Sequence, residues 1–541
     1  MTAMPAGTRA GRSGGTARIG RASGVMAAGT LLSRVTGFLR TIAIGAAIGT
    51  HEVADSYNVA NTTPNILFDL LLGGVLSSVI VPVLVRAAKE DDDGGEAFAS
   101  SLLTLVAIAL SIAVLLGMVL APWLIRAYSS RAAEVPLATT FLRWFLPQVL
   151  FYGLGATVGA ILNTRGRFGA PMLTPVLNNI VVIATAALFI LLPGHRPPTL
   201  DSLTSGQVTL LAAGTTLGIV VMTIALLPSL RASGFRYRPR IDLRHPGLRS
   251  AGRLAGWMLV YVLASQAAYL VVTRLATSTV AYTTYTFAYQ LFLLPHGIIV
   301  VSVVTALLPR MSSHAADGRL DLVREDLSSG LRLAGVVLVP AAVGLLVLAG
   351  PLTGAVFRHG AVDANAAAAI GRTLAAFAVA LPFFSAFQLS LRAFYATTDS
   401  RTPALLAIGI GVTNVLAALL FAGVLGSKDR AVALAVAFGI SYAAGTAASL
   451  VLLRRRLGGL DGACVVRTLV RSAVAAAGAA LVALAVVALA SRTLPRGPLA
   501  DAVALLAGGG LGAIAYLLIA LRMRLAELDA MAGMVRRRLG R

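Results

Sequence analysis

Apolar runs recur from about residue 25 to about residue 521, and polar residues gather in short stretches between them. A helix needs about 20 mainly apolar residues to cross a hydrocarbon core of roughly 30 Å. The pattern therefore predicts an all-α polytopic membrane protein with about fourteen transmembrane helices. The spans are expected near 25–49, 54–86, 98–125, 138–163, 171–193, 206–230, 254–273, 280–309, 333–357, 373–398, 402–426, 431–453, 472–491 and 499–521. An even number puts both termini on one side of the membrane.

Short motifs repeat at a spacing of six spans. Val53 precedes Pro82 by 29 residues, Val280 precedes Pro309 by the same 29, and an alanine follows each valine. Asn163-Thr164-Arg165-Gly166-Arg167-Phe168 leads to Pro171 between spans 4 and 5. Tyr395-Ala396-Thr397-Thr398-Asp399-Ser400-Arg401 leads to Pro403 between spans 10 and 11. Six spans preserve orientation, so the expectation is two six-helix lobes in a parallel pseudo-two-fold repeat, plus two C-terminal helices. The expected division is a disordered basic tail (1–23), an N-lobe (24–231), a basic linker (232–253), a C-lobe (254–456), spans 13 and 14 (465–523) and a basic tail (524–541).

Composition agrees with a chain that lives in lipid. The 541 residues are 57% hydrophobic and 12% charged, mean hydropathy is +0.84, and no soluble domain stands out. The net charge of +23 would suggest nucleic acid in a soluble protein. Here the charge lies between spans, so topology explains it and no nucleic-acid partner is expected. Thirty-two of the 45 basic residues fall on the side of the termini and eleven on the other, with Arg34 and Arg40 inside the membrane. That asymmetry predicts cytoplasmic termini. The basic tails also suit anionic lipid. The apolar segment after the first tail is too long for a signal peptide and is interrupted by arginines, which predicts a retained span.

Arg34 and Arg40 carry the candidate chemistry. They lie roughly 13 and 22 Å into the first span, where an arginine costs on the order of 3 kcal/mol. An anionic ligand in a wet cavity between the lobes accounts for them; snorkelling, or a permanent tie to Asp55 at the start of span 2, is the structural alternative. Six residues separate the arginines by about 120° around the axis, so a shared site needs a wide cavity or a bend at Gly37. Span 2 is expected to be irregular at Pro64-Asn65, Gly73-Gly74 and Pro82.

No enzyme signature is present. The histidines, including His296 after Pro295 in span 8, have no metal-ligand spacing. Gly508-Gly509-Gly510 lacks the lysine of a phosphate-binding loop and reads as a helix-packing surface. Cys464 is the single cysteine, which excludes an intramolecular disulfide and a cysteine-based metal cluster. No cofactor is expected.

The chain resembles the MurJ/MviN family of lipid II flippases, within the multidrug/oligosaccharidyl-lipid/polysaccharide exporter superfamily. The matching residues are Ser33-Arg34-Val35-Thr36-Gly37-Phe38-Leu39-Arg40, Ala54-Asp55, Pro64-Asn65, Val81-Pro82-Val83-Leu84, Gly159-Ala160-Ile161-Leu162-Asn163-Thr164, Leu308-Pro309, Phe394-Tyr395-Ala396 and Thr402-Pro403. The resemblance implies a flippase of the bacterial cytoplasmic membrane that moves undecaprenyl-diphosphate-disaccharide-pentapeptide to the outer leaflet by alternating access. It implies a lipid-tail groove at spans 13 and 14 and essential roles for Arg34, Arg40 and Asp55; cell-division and wall-synthesis proteins are the partners the basic tails could dock. Guanidinium forks suit diphosphate oxygens. Two departures stand out: Phe68-Asp69 occupies the place of paired arginines in span 2, and Gln290 that of an arginine in span 8. Asp69 is expected to pair with Arg34 or Arg40 in one access state. The expected substrate-binding set is Arg34, Arg40, Asp55, Asn65, Asp69 and Gln290. The sodium site of some relatives needs acids on spans 7, 11 and 12, where Asn414 and Ser441 are weak donors; coupling to membrane potential is expected instead. A flippase for another polyprenyl-diphosphate glycan, a cation-coupled drug exporter and a non-transporting scaffold are the alternatives.

Overall fold

The computed structural model describes residues 10–70, 84, 87, 92–195, 197–242, 246–525, 527 and 528, with side chains described from residue 29 except at 67–70 and 246–259. Thirteen of its helices are long and apolar enough to cross a membrane. Helix Glu52–Leu70 begins the remaining expected span, whose Gly73, Gly74 and Pro82 lie outside the described residues. The first helix runs Ala10–Ile48, so the backbone is helical within the tail expected to be disordered; no proline stands between Pro5 and Pro64 to stop it.

Two spans divide where the sequence pattern predicts one helix each. Span 4 is Val135–Phe145 followed by Pro147–Thr164, and span 6 is Ser205–Ile224 followed by Leu227–Ala232. The breaks precede Pro147 and Pro228, which have no N–H to donate to the carbonyl four residues back and so interrupt the helical ladder there. Pro64 interrupts nothing: Glu52–Leu70 is continuous through it.

The remaining spans are Glu96–Tyr128 (3), Gly169–Leu191 (5), Pro246–Thr277 (7), Tyr282–Ala316 (8), Leu320–Phe357 (9), Ala364–Ala396 (10), Arg401–Leu425 (11), Arg430–Arg456 (12), Gly462–Thr493 (13) and Pro498–Arg522 (14). Neighbours are paired by one scheme in both halves. Spans 1 and 5, 5 and 6, 2 and 4, 3 and 4, and 4 and 6 touch; so do 7 and 11, 11 and 12, 8 and 10, 9 and 10, and 10 and 12. The turns after spans 4 and 10 match as well. Arg167 N–H donates to Leu162 O, as Asp399 N–H does to Phe394 O, both at 2.9 Å. Gly166 and Thr398 supply the positive φ that such a helix end uses.

Spans 13 and 14 pack on each other and on span 9. Gly508 and Gly512 let span 14 approach the backbone of span 13, where an added Cβ would lie 3.5 Å from Ala483 O and 3.4 Å from Ala479 O respectively. The Tyr516 hydroxyl donates to Val336 O of span 9 at 2.6 Å.

The turns at 49–51, 129–131, 278–281 and 358–363 gather at one end of the bundle, here the far end, opposite the start of span 1 and the end of span 14. The lobes are sewn together there. Ala361 N–H donates to Ala46 O at 2.9 Å. Gly360 has φ +60, and a Cβ on it would strike Ala46 O, so both its conformation and its contact require glycine. Arg274 of span 7 donates to Arg126 O at 2.7 Å, and Ser130 Oγ donates to Arg274 O at 2.7 Å. The segment between the lobes is a strap over 233–242 lying on span 3. Asp242 N–H donates to Ser101 Oγ at 2.9 Å, and Arg165 stacks over the buried Phe235 ring.

Candidate functional site

A cavity of about 460 Å³ lies between the lobes, bounded by residues of spans 1, 2, 4, 5 and 6 on one side and 7, 8, 10, 11 and 12 on the other. Its wall is polar yet almost uncharged, with Asn58, Asn61, Gln148, Asn178, Ser265 and Gln290 among its members. Arg40 carries the single formal charge among the described lining residues. No carboxylate forms an ion pair with Arg40 among the described residues. A guanidinium in a wet pocket of amides and hydroxyls is a donor array suited to an oxyanion.

The expected site residues part company. Arg40, Asn65 and Gln290 line the cavity. Asn65 donates to Asn61 O at 2.8 Å and accepts from the Tyr152 hydroxyl at 3.4 Å. Gln290 Oε1 accepts from the Thr41 hydroxyl, a bond that crosses from span 8 to span 1. Arg34 is exposed and lies outside the lining of this cavity. It rests on span 8 at Gly297, where an added methyl would collide with its guanidinium. The Asp69 side chain lies outside the described residues.

Asp55 does not make the tie to Arg34 that was the structural alternative. Its carboxylate is fully buried at the far end and does not line the cavity. Oδ1 accepts Thr283 N–H at 2.7 Å and Oδ2 accepts Tyr282 N–H at 3.2 Å. These are free donors at the start of span 8, which has no side-chain cap of its own. The acid of one lobe thus caps a helix of the other. Asn58 adds a bond to Thr283 Oγ1 at 3.1 Å, and Thr62 pairs with the Tyr282 hydroxyl. Sequence reasoning missed this because an acid beside arginines suggests an ion pair, while backbone N–H groups leave no mark in a sequence.

Asn414 lines the cavity with a buried Oδ1 that makes no hydrogen bond, and the Ser441 hydroxyl is taken by Phe438 O. His296 Nδ1 and Ser385 Oγ are 2.9 Å apart.

Residues 44–507 match the family model for the lipid II flippase MurJ. A lipid II flippase MurJ of Burkholderia cenocepacia is 29% identical over 423 residues, covering 75% of this chain and 79% of that protein. A probable lipid II flippase MurJ of Haemophilus influenzae is 29% identical over 409 residues, covering 71% and 78%. A solved structure titled lipid II flippase MurJ, inward closed conformation, covers 95% of this chain and 99% of its own at TM-score 0.72 and 21% identity. An inward-facing multidrug transporter of the MATE family and MOP superfamily covers 78% of this chain and 94% of its own at TM-score 0.64 and 18% identity; these two likenesses concern fold. With the greater part of its length matched by that model, the chain belongs to the MurJ lipid II flippase family.

Proposed function

We propose that this protein flips lipid II, the undecaprenyl-diphosphate-linked disaccharide-pentapeptide, from the inner to the outer leaflet by alternating access. The observation that carries the reading is Arg40: a guanidinium with no ion pair among the described residues, in a polar cavity between two lobes that are joined at the far end. Arg40 takes the diphosphate while the neutral amides and hydroxyls around it solvate the sugar head. Asp55 acts as part of the far-end closure, released when the lobes rock apart. Asn65 and Gln290 contact the head group. The termini lie in the cytoplasm, by the excess of basic residues on their side, so the far end faces outward.

The multidrug-transporter fold matches less of this chain than the MurJ fold does, and spans 13 and 14 add an apolar surface suited to a polyprenyl tail. Membrane potential drives the cycle: one charge moved through 100 mV yields about 2.3 kcal/mol. Depleting the protein in cells and scoring labelled lipid II tests the reading. Lipid II is expected to stay protected in the inner leaflet and to be released on restoring the wild-type chain. Continued delivery to the outer leaflet without the protein overturns it.

A further inference from the structure

One basic group in the membrane half nearer the termini has no role so far. Arg392, near the end of span 10, is partly buried and its Nε makes no hydrogen bond. The guanidinium stacks 5.9 Å from the Tyr395 ring. Arg34 lies against Gly297, next in sequence to His296, and Arg392 shares span 10 with Ser385, the partner of His296. That ring sits on Phe384 at 4.6 Å and is held by Ser385. Among the described residues no carboxylate pairs with Arg34 or Arg392.

Arg34 and His296 form a tier below Arg40, and Arg392 stands two turns beyond Ser385 on the same face of span 10, about 10 Å nearer the termini. Arg40 and Gln290 each lie eight residues from the far end of their helix, Arg34 and His296 fourteen. Six residues of helix separate the tiers by about 9 Å. Helical side chains lean toward their own N-terminus. Span 10 begins at the far end and span 1 at the near end, so Arg392 leans up toward His296 and Arg34 leans down toward it. Gly297 leaves the seat that Arg34 occupies. Two guanidinium groups that bear on one imidazole from either side repel each other, and an anion between them relieves that repulsion.

We infer that Arg392, His296 and Arg34 form a second anion subsite, which receives the lipid-linked diphosphate before it moves up to Arg40. This rests on the flippase reading and extends it to a two-step path. The C-lobe thus supplies a charge of its own, from span 10, although position 290 of span 8 is a glutamine.

The test uses purified full-length protein in detergent with geranylgeranyl diphosphate as probe, at fixed low salt. Geranylgeranyl monophosphate and inorganic diphosphate separate tail from head-group recognition; the subsite predicts a larger loss for the diphosphates than for the monophosphate. Arg392→Gln is expected to weaken binding about tenfold, and Arg392→Lys to restore part of it. Gly297→Leu removes no charge, but fills the seat of Arg34 and is expected to weaken binding severalfold. In the double variant the losses fall short of additive, because the groups act on one anion. Wild-type affinity in Arg392→Gln, alongside lost affinity in Arg40→Ala, overturns the subsite and leaves the flippase reading standing. Unchanged affinity in both variants overturns the two together.

Discussion

Asp55 of span 2 caps span 8 through Thr283, its Oδ1 accepting the Thr283 N–H at 2.7 Å. A carboxylate fixed on backbone donors of the opposite lobe makes the far-end closure a specific bond between two rigid helices. Hydrogen bonds to a charged group contribute about 1.5–3 kcal/mol. Asp55→Ala is therefore expected to shift the access equilibrium toward far-end opening by roughly tenfold or more. In a Cys464→Ser background, Asn61→Cys in the cavity reports the shift: an impermeant maleimide added from outside should label it faster in Asp55→Ala. An unchanged labelling rate contradicts the capping role.

Gly49 and Ala361 face each other across the same joint, and a Cβ on Gly49 would lie 3.5 Å from Ala361 Cβ. That separation suits a disulfide. The pair Gly49→Cys and Ala361→Cys is expected to cross-link on mild oxidation, stop transport, and recover on reduction. The positive φ at position 49 adds strain of about 1–2 kcal/mol, so the reduced pair serves as its own control. Full transport in the oxidised, cross-linked protein shows that the joint need not open.

Tyr516 anchors span 14 to span 9 through Val336 O and meets Ser472 Oγ at 3.0 Å. Tyr516→Phe is expected to lower stability by about 1 kcal/mol, read as a lower midpoint in detergent unfolding, with transport retained. Lost transport at unchanged stability assigns the hydroxyl to the substrate path.

Asp399 sits in the turn between spans 10 and 11. Burial pushes its carboxyl up, but the Thr402 hydroxyl and N–H, together with Arg456, outweigh burial and hold it below the ordinary 3.8. A depressed carboxyl stabilises the fold above its unfolded value and loses that contribution as pH falls through its folded value. The stability gap between wild type and Asp399→Asn should be full near neutrality and shrink below pH 3.8. A gap that stays constant into that acid range removes the ionised carboxylate from the explanation.

The spans were legible because a membrane demands long apolar helices, and the six-span repeat because matching turns need matching residues. The breaks before Pro147 and Pro228 were legible in principle: both prolines stand inside apolar runs that conceal their effect. Arg40 was readable because a charge at that depth has no cheap explanation. Arg392 was not, because a basic residue near a helix end looks like a topology signal. Asp55 was readable as an acid at the start of span 2, but not what it touches. Its true contacts are backbone donors exposed only by where span 8 happens to begin.

The central claim is that Arg40 holds a lipid-linked diphosphate between the lobes. Its most direct measurement is lipid II delivery in cells that depend on this chain, carrying either the wild type or Arg40→Ala at equal, folded abundance. The account predicts that labelled lipid II stays in the inner leaflet with Arg40→Ala and reaches the outer leaflet with the wild type. Equal delivery by the two proteins contradicts it.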